Sequence, residues 1–426
     1  METNLLIEHA AELCTLAGTS GPRRGPQQAD LGIVADGAIA CGVGGRILAA
    51  GSTSEVRSAI TLAHDTTVID ATGCAVIPGF VDPHTHAVFA GDRAEEFVQR
   101  LEGADYLEIL AAGGGILSTV RATRTASPEA LLERALSFLD EMLLMGTTAV
   151  EIKSGYGLST ESELTMLRVV AALQERAAQT VVPSFLGAHA VPPEYRDDPD
   201  GYVKLVCQEM IPAVAAENLA RYCDVFCETG VFTVEQSRRV LTAGLAHGLT
   251  PKLHAEQKSH LGGTALAAEL HAASADHLEH ASDEDLQALA AAGTVAVFLP
   301  GAAFMLREDR MAPAQRAIEL GAPVALATDF NPGTSPILSM PVIIGLACLR
   351  LGMTPAEALV ATTINAAYAI GLGDETGSLE PRKRTDLLIL DAPSHRHLPY
   401  YFGRNLVHTV VKDGRLVVCD GQRVAS

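Results

Sequence analysis

The chain reads as α/β: a (β/α)8 TIM-like barrel with a small β-sandwich domain formed from both chain termini. Three observations predict this. Through the middle, eight short β-type runs alternate with amphipathic helical segments, and strand–helix alternation means a parallel sheet. At both ends, short strands follow one another across turn residues, the pattern of antiparallel β. At 426 residues the chain exceeds the usual single-domain range, so a large domain with a smaller companion is expected. The expected boundaries are 1–72 with 378–426 for the composite β-sandwich domain and 73–377 for the barrel.

Near the N-terminus, Ile33-Val34-Ala35 and Ala38-Ile39-Ala40 flank Asp36-Gly37, a pair suited to a hairpin turn. Arg46 to Gly51 continues in the same style. Barrel strands are expected at about 75–83, 147–152, 181–187, 223–227, 250–253, 274–276, 294–299 and 323–328. Between them, Thr160-x-x-Glu163 and Thr233-x-x-Gln236 read as capping boxes. Thr354-Pro355-Ala356-Glu357 adds proline at the first helical position. Asp386 to Asp391, Thr409-Val410-Val411 and Arg415 to Val418 around Asp413-Gly414 return to the antiparallel pattern. An open doubly wound sheet is the alternative. It would need a glycine-rich phosphate loop after the first strand, where His84-Thr85-His86 stands.

Composition narrows the function. Hydrophobic residues make up 48%, too many for a disordered chain. The formal charge of −20 argues against nucleic-acid and anionic-membrane partners, and an anionic substrate would need a local cation. The eight cysteines are scattered without a Cys-x-x-Cys pair, so a thiolate zinc knuckle is not expected, and Cys223 and Cys227 read as core. No signal-peptide pattern opens the chain and no apolar run reaches transmembrane length. A reduced, cytoplasmic protein is the expectation.

In such a barrel the site lies at the C-terminal ends of the strands. There the sequence places His84 and His86 (strand one), Glu151 to Tyr156 (two), His189 (three), His254 (five), His277 (six) and Asp329 (eight). Five of the 14 histidines thus sit at expected strand ends. A single histidine there is more often a core or capping residue than a ligand. His84 and His86, however, share one face of an extended chain and form half a metal site. His254 and Asp329 would complete it. Three imidazoles and one carboxylate suit one divalent metal, zinc or iron(II). His189 and His277 are then free for substrate or protons, and Lys153 is either a carbamylated ligand or a structural lysine.

The long connection from Ala87 to Ser127, with Gly113-Gly114-Gly115, has the length of a functional loop. Arg93 within it could lean over the site and pair with a carboxylate. Tyr156 follows a glycine on a loop. After Asp329, Asn331, Gly333 and Thr334 supply hydrogen bonds and close backbone approach.

The ordered set His84-x-His86, His254, His277 and Asp329 resembles the amidohydrolase superfamily. PGFVDPHTHAVFAGDR (78–93), VEIKSGYGL (150–158), FLGAHAVPPEY (185–195), SADHLEH (274–280) and ALATDFNPGTSP (325–336) together resemble the imidazolonepropionase family more closely. The resemblance runs from about Ile33 to Asp391. It implies hydrolysis of 4-imidazolone-5-propanoate to N-formimidoyl-L-glutamate, a small-molecule carboxylate substrate, and a homodimer. It implies zinc or iron on His84, His86, His254 and Asp329. It also implies substrate contacts from Arg93, Tyr156, His189, Gln257, Asn331, Gly333 and Thr334. The family carries Glu or Gln three residues past the fifth-strand histidine. Gln257 cannot act as a base, which leaves Asp329 and His277 as the catalytic candidates. A cyclic deaminase on the same barrel, or a non-catalytic binding protein, is the competing reading. Arg93 with Tyr156 argues against neutral nucleobases, and the intact ligand set argues against lost catalysis.

Overall fold

The computed structural model describes residues 2–18, 20–103 and 114–424. Its centre is one parallel sheet of eight strands hydrogen-bonded in chain order. They are Phe80–Asp82, Thr147–Lys153, Thr180–Ala188, Tyr222–Cys227, Thr250–Ala255, Ser274–His277, Val295–Phe298 and Val324–Leu326. Almost every residue in them is buried, as expected of strands covered on both faces. Strands eight and one do not pair as a regular ladder. The ring closes just beyond them, where His86 N donates to Phe330 O at 2.8 Å and Asp329 N to His84 O at 3.1 Å. Below that seam, the Asp82 carboxylate accepts Thr328 N at 3.1 Å and Thr328 Oγ1 at 2.6 Å.

The termini form two further sheets. One has four strands in the order Ile47–Ser52, Gly37–Cys41, Glu2–Ala10, Thr61–Asp70. The other has seven, with Val407–Lys412, Leu387–Leu390 and Ala75–Pro78 at its centre and Glu12–Cys14 next to one edge. Leu5, Ile7, Ile39, Val76, Leu387 and Val411 pack between them as a second core, giving the sandwich.

Several local expectations change. The run 75–83 is two strands: Ala75–Pro78 pairs antiparallel with Leu387–Leu390, and only Phe80–Asp82 joins the barrel. Asp36-Gly37 is not a hairpin turn. Ile33–Val34 pairs with Glu12–Cys14, whereas Gly37–Cys41 pairs with Glu2–Ala10, so the turn carries the chain from one sheet to the other. Asp413-Gly414 is a hairpin: Lys412 faces Arg415, and both turn residues have positive φ, 49° and 73°. The capping boxes at Thr233/Gln236 and Thr354/Glu357 form. That at Thr160/Glu163 does not, because Ser159 caps the helix and Glu163 turns inward. The connection after strand one holds the helices Ala94–Leu101 and Ile116–Thr125, while Gly113 lies outside the described residues.

All eight cysteines are free, with Cys223 and Cys227 in the core. Among the described residues, no helix is long and apolar enough to cross a membrane.

One hydrogen-bonded pair ties the two termini together: His395 Nδ1 lies 2.5 Å from Glu12 Oε1, and His395 N donates to the same oxygen at 3.0 Å. Burial works against the Glu12 charge, but these His395 bonds prevail and hold its pKa at about 2. With a depressed folded value, the pair's contribution is complete above the ordinary 4.5 and disappears as pH falls through about 2. The stability gap between wild type and Glu12→Gln, from denaturant midpoints, should be constant from about pH 7 to 5 and shrink below about 4.5. A gap that widens on acidification would contradict this.

Candidate metal centre and active site

Five histidines and Asp329 converge at the C-terminal mouth of the barrel. Ligand atoms of His84, His86 and Asp329 lie within 4.8 Å of one another, as do those of His84, His254 and His277. His84 belongs to both sets. Nε2 of His84 and Nε2 of His86 each stand 3.6 Å from Asp329 Oδ1. The rings of His84 and His254 are 4.5 Å apart.

Strand geometry explains the convergence. His84 and His86 follow strand one in extended backbone, so alternation puts both on the inner face. Asp276 and His277 are consecutive and should diverge. His277 takes φ +81°, which breaks the alternation and allows both to serve one site. Asp329 likewise adopts φ +52° after Thr328, whose hydroxyl is held by Asp82. Such backbone costs about 1–3 kcal/mol and gathers at functional sites.

The histidines are oriented from below. His84 Nδ1 is 2.6 Å from Asp276 Oδ2, and His254 Nδ1 is 3.2 Å from Asp224 Oδ1. An ionised carboxylate only accepts, so each N–H sits at Nδ1 and each lone pair at Nε2. Both Nε2 atoms are buried without a hydrogen-bond partner. Burial also keeps His84, His86 and His277 far below their ordinary pKa, so all three are neutral imidazoles. Unpartnered lone pairs beside a carboxylate fit a divalent metal ion.

The carboxylates are held in turn. Lys153 Nζ reaches Asp224 Oδ2 at 2.7 Å, Glu151 Oε2 at 3.0 Å and Asp276 Oδ2 at 3.6 Å. Lys252 Nζ binds Glu151 Oε2 at 2.7 Å and Pro83 O at 3.1 Å, just before His84. Burial alone would depress Lys153, but the three carboxylates prevail and raise its pKa. Carbamylation needs a neutral amine, so Lys153 is the structural cation of the two alternatives.

Around the cluster, His189 stacks on His86 with centroids 5.0 Å apart and planes 16° apart. Its Nδ1 meets Gly155 O at 3.1 Å, and burial lowers its pKa to about 3. Tyr156 packs beside both rings, and burial first, then Asp329, pushes its hydroxyl up. Its loop is fixed by Glu163, whose carboxylate accepts Gly155 N, Gly157 N and Leu158 N at 3.1, 2.8 and 2.8 Å. Gly155 has φ +110°, and a Cβ there would lie 2.9 Å from His189 Nδ1.

Arg93 precedes the helix Ala94–Leu101, and its Nε donates to Glu96 Oε2 at 2.7 Å. Its guanidinium lies against Gly333, where a Cβ would come within 1.9 Å of Nη1. Glycine at 333 therefore admits Arg93. Asn331 holds its own loop: Oδ1 accepts Gly333 N and Thr334 N, each at 2.8 Å, and Nδ2 donates to Asp329 O at 2.6 Å and Thr334 Oγ1 at 2.9 Å. Gln257 lines a small polar pocket with Lys258, Glu279 and His280. Glu256 faces away, accepting Gly262 N, Gly263 N and Thr264 N at the start of the helix Gly263–Glu269. A cleft of about 590 Å³ lined by Leu31, Pro355 and Arg396 contains none of these site residues.

Sequence reasoning did not single out Asp224, Asp276, Lys252 or Glu163 as site residues. A usable signal existed for Lys252: Glu151/Lys153 and Lys252/His254 place polar side chains at two-residue spacing in otherwise apolar strands. Asp276 sits beside a histidine instead, and nothing local marks it.

An amidohydrolase family model matches residues 75–417. An imidazolonepropionase of Symbiobacterium thermophilum is 57% identical over 420 residues, covering 98% of each chain. Another from Geobacillus kaustophilus is 51% identical over 421 residues, covering 98% of this chain and 99% of its own. Among solved structures, a zinc-bound adenosine deaminase from Xanthomonas campestris superposes with TM-score 0.74 at 18% identity, over 100% of this chain and 95% of its own. Escherichia coli guanine deaminase does so at 0.70 and 16%, over 97% and 98%. Those two likenesses concern the fold alone.

Removing an orienting carboxylate should loosen the metal without removing a ligand. Asp224→Ala and Asp276→Ala should each weaken zinc affinity by about 10–100-fold, read by competition with a chelator. Wild-type affinity in both would show that the imidazoles need no such support.

Proposed function

This chain belongs to the amidohydrolase family and, within it, to the imidazolonepropionases, and from that premise we propose that it hydrolyses 4-imidazolone-5-propanoate to N-formimidoyl-L-glutamate in histidine degradation. The observation that carries the reading is the oriented imidazole cluster beside Asp329, with Arg93 at the neighbouring Gly333. In the reaction, water oxygen bonds to the ring carbonyl carbon and the ring carbon–nitrogen bond breaks. The freed nitrogen takes the proton that the water loses.

His84, His86, His254 and Asp329 would hold one zinc or iron(II) ion, which supplies Lewis acidity and lowers the pKa of water toward neutrality. Asp329 takes the proton of the attacking water and returns it to the leaving nitrogen. His277 donates to the carbonyl oxygen as charge develops there. Gln257 cannot take the base role, and Glu256 faces its helix. Arg93 pairs with the propanoate and supplies the local cation that a chain of net charge −20 requires. Tyr156, His189, Gln257, Asn331, Gly333 and Thr334 line the substrate. The Tyr156 hydroxyl remains protonated because burial raises its pKa, so it acts as a donor.

We assign the protein to the cytoplasm, where free cysteines persist, and its assembly to a homodimer. Exposed Leu349, Tyr400, Tyr401 and Phe402 offer apolar surface for a second copy.

Stripping metal with a chelator should abolish hydrolysis of imidazolone propanoate, and zinc or iron(II) should restore it. Full activity in verified metal-free protein would overturn the reading. Arg93→Ala should raise KM by about 10–100-fold, the range for a hydrogen bond to a charged group. If KM and kcat both stay at wild-type values, another residue binds the carboxylate.

A further inference from the structure

Arg93 and Tyr156, two of the residues assigned to substrate above, stand on different loops, and one helix is bonded to both. The helix Ile116–Thr125 carries no metal ligand and no substrate residue. At its start, Gly115 N donates to Glu96 Oε1 at 3.0 Å, and Ser118 Oγ donates to the same oxygen at 3.2 Å. The other oxygen of Glu96 takes Arg93 Nε at 2.7 Å. Thr123 Oγ1 accepts Ala90 N at 3.1 Å, just before Arg93 in the chain. At the end of the helix, Arg124 turns to the Tyr156 loop. Its Nε donates to Gly157 O at 2.6 Å and its Nη2 to Leu158 O at 3.0 Å.

That loop is irregular backbone, with φ of +110° at Gly155 and +50° at Leu158. Glu163 takes the N–H groups of Gly157 and Leu158, and Arg124 takes their carbonyls. All four polar groups of this dipeptide thus end on two side chains of opposite charge, from two different helices. Hydrogen bonds to charged partners are the stronger kind, and a planar guanidinium fixes direction as well as distance. The remaining arm of Arg124, Nη1, meets Glu194 Oε1 at 2.6 Å in the loop after His189. The Glu194 side chain is 55% exposed, so that contact contributes little.

Resting on the roles given to Arg93 and Tyr156 above, we propose that the helix Ile116–Thr125 is a strut that sets the distance between these two side chains, with Arg124 as the positioning residue for Tyr156. A substrate held at both ends is read for length. Its carboxylate must reach Arg93 while its ring meets Tyr156 beside the imidazole cluster. Glu96 anchors the Arg93 end of the strut, and Arg124 with Glu163 anchors the Tyr156 end. Releasing Arg124 frees one end and leaves Arg93 and the metal ligands where they are. A misplacement of about 1 Å is enough to cost a large part of the rate.

The test is kinetics of zinc-loaded protein on imidazolone propanoate and on its homologues with one methylene fewer and one more. Wild type should favour the propanoate by about tenfold or more in kcat/KM. Arg124→Ala should raise KM for the propanoate by about tenfold, keep kcat within about threefold, and narrow the chain-length preference to a few-fold. Arg124→Lys keeps the charge and the stem but not the planar fork; it should shift in the same direction, and it carries the test if the alanine variant does not fold. Arg124→Ala combined with Tyr156→Phe should lose no more than the more impaired single variant, because Arg124 acts through Tyr156. Glu194→Ala should stay within about twofold of wild type. Wild-type KM and preference in both Arg124 variants would overturn the proposal, as would a wild type that does not discriminate among the homologues. Additive losses in the double variant, or a loss in Glu194→Ala as large as that in Arg124→Ala, would overturn it too, since Arg124 would then act elsewhere than on Tyr156. Wild-type kinetics in Tyr156→Phe would remove the Tyr156 contact and the proposal with it. No hydrolysis of any homologue by wild type would instead overturn the reaction assigned above.

Discussion

Three carboxylates and two ammonium groups are sealed inside the barrel beneath the site, and the active geometry depends on their mutual compensation. Glu151, Asp224 and Asp276 share Lys153 and Lys252 without contact with water. Such a cluster is a poor source of stability, since apolar replacements of buried ion pairs are often better by about 1–4 kcal/mol. Its effect is directional. Asp276 and Asp224 fix the tautomers of His84 and His254, and the lysines fix the carboxylates. Without the lysines, the carboxylates would protonate or move, and the imidazoles would lose the orientation that bares Nε2.

The same residues that form the site also close the barrel. His84 and His86 exchange backbone bonds with Asp329 and Phe330 across the seam, and Asp82 clamps Thr328 below it. The first and last strands are each only three residues long, too short for a full ladder. Tertiary closure and ligand convergence are therefore one event: the fold cannot open at this seam without separating His84 and His86 from Asp329.

Much of this was legible in the sequence because it depends on period. Two-residue alternation puts His84 and His86 on one face, and strand–helix alternation counts eight strands. The strand-end rule then gathers His254, His277 and Asp329. What was misread turned on groups whose partners lie far along the chain. Asp36-Gly37 has the composition of a hairpin turn, yet its flanking strands find better partners in different sheets. Thr160-x-x-Glu163 has the letters of a capping box, yet Glu163 is drawn inward by three backbone N–H groups of the Tyr156 loop. The run 75–83 is apolar but for Asp82, so no change of period marks where it passes from sandwich to barrel; the one local signal is the turn pair Pro78-Gly79.

By itself the sequence determined the barrel, the composite terminal domain and the residues at the strand ends, since periodicity and spacing are local properties. Family motifs in that sequence pointed to the reaction. Only the tertiary structure decided which nitrogen of His84 and of His254 is bare, because that depends on Asp276 and Asp224, contributed by other strands. It alone showed Lys153 as a buried cation rather than a candidate for carbamylation, for the three carboxylates around it come from three strands. It also brought Arg124 and Glu163 to the same Gly157-Leu158 backbone, from two helices whose letters do not announce a shared loop.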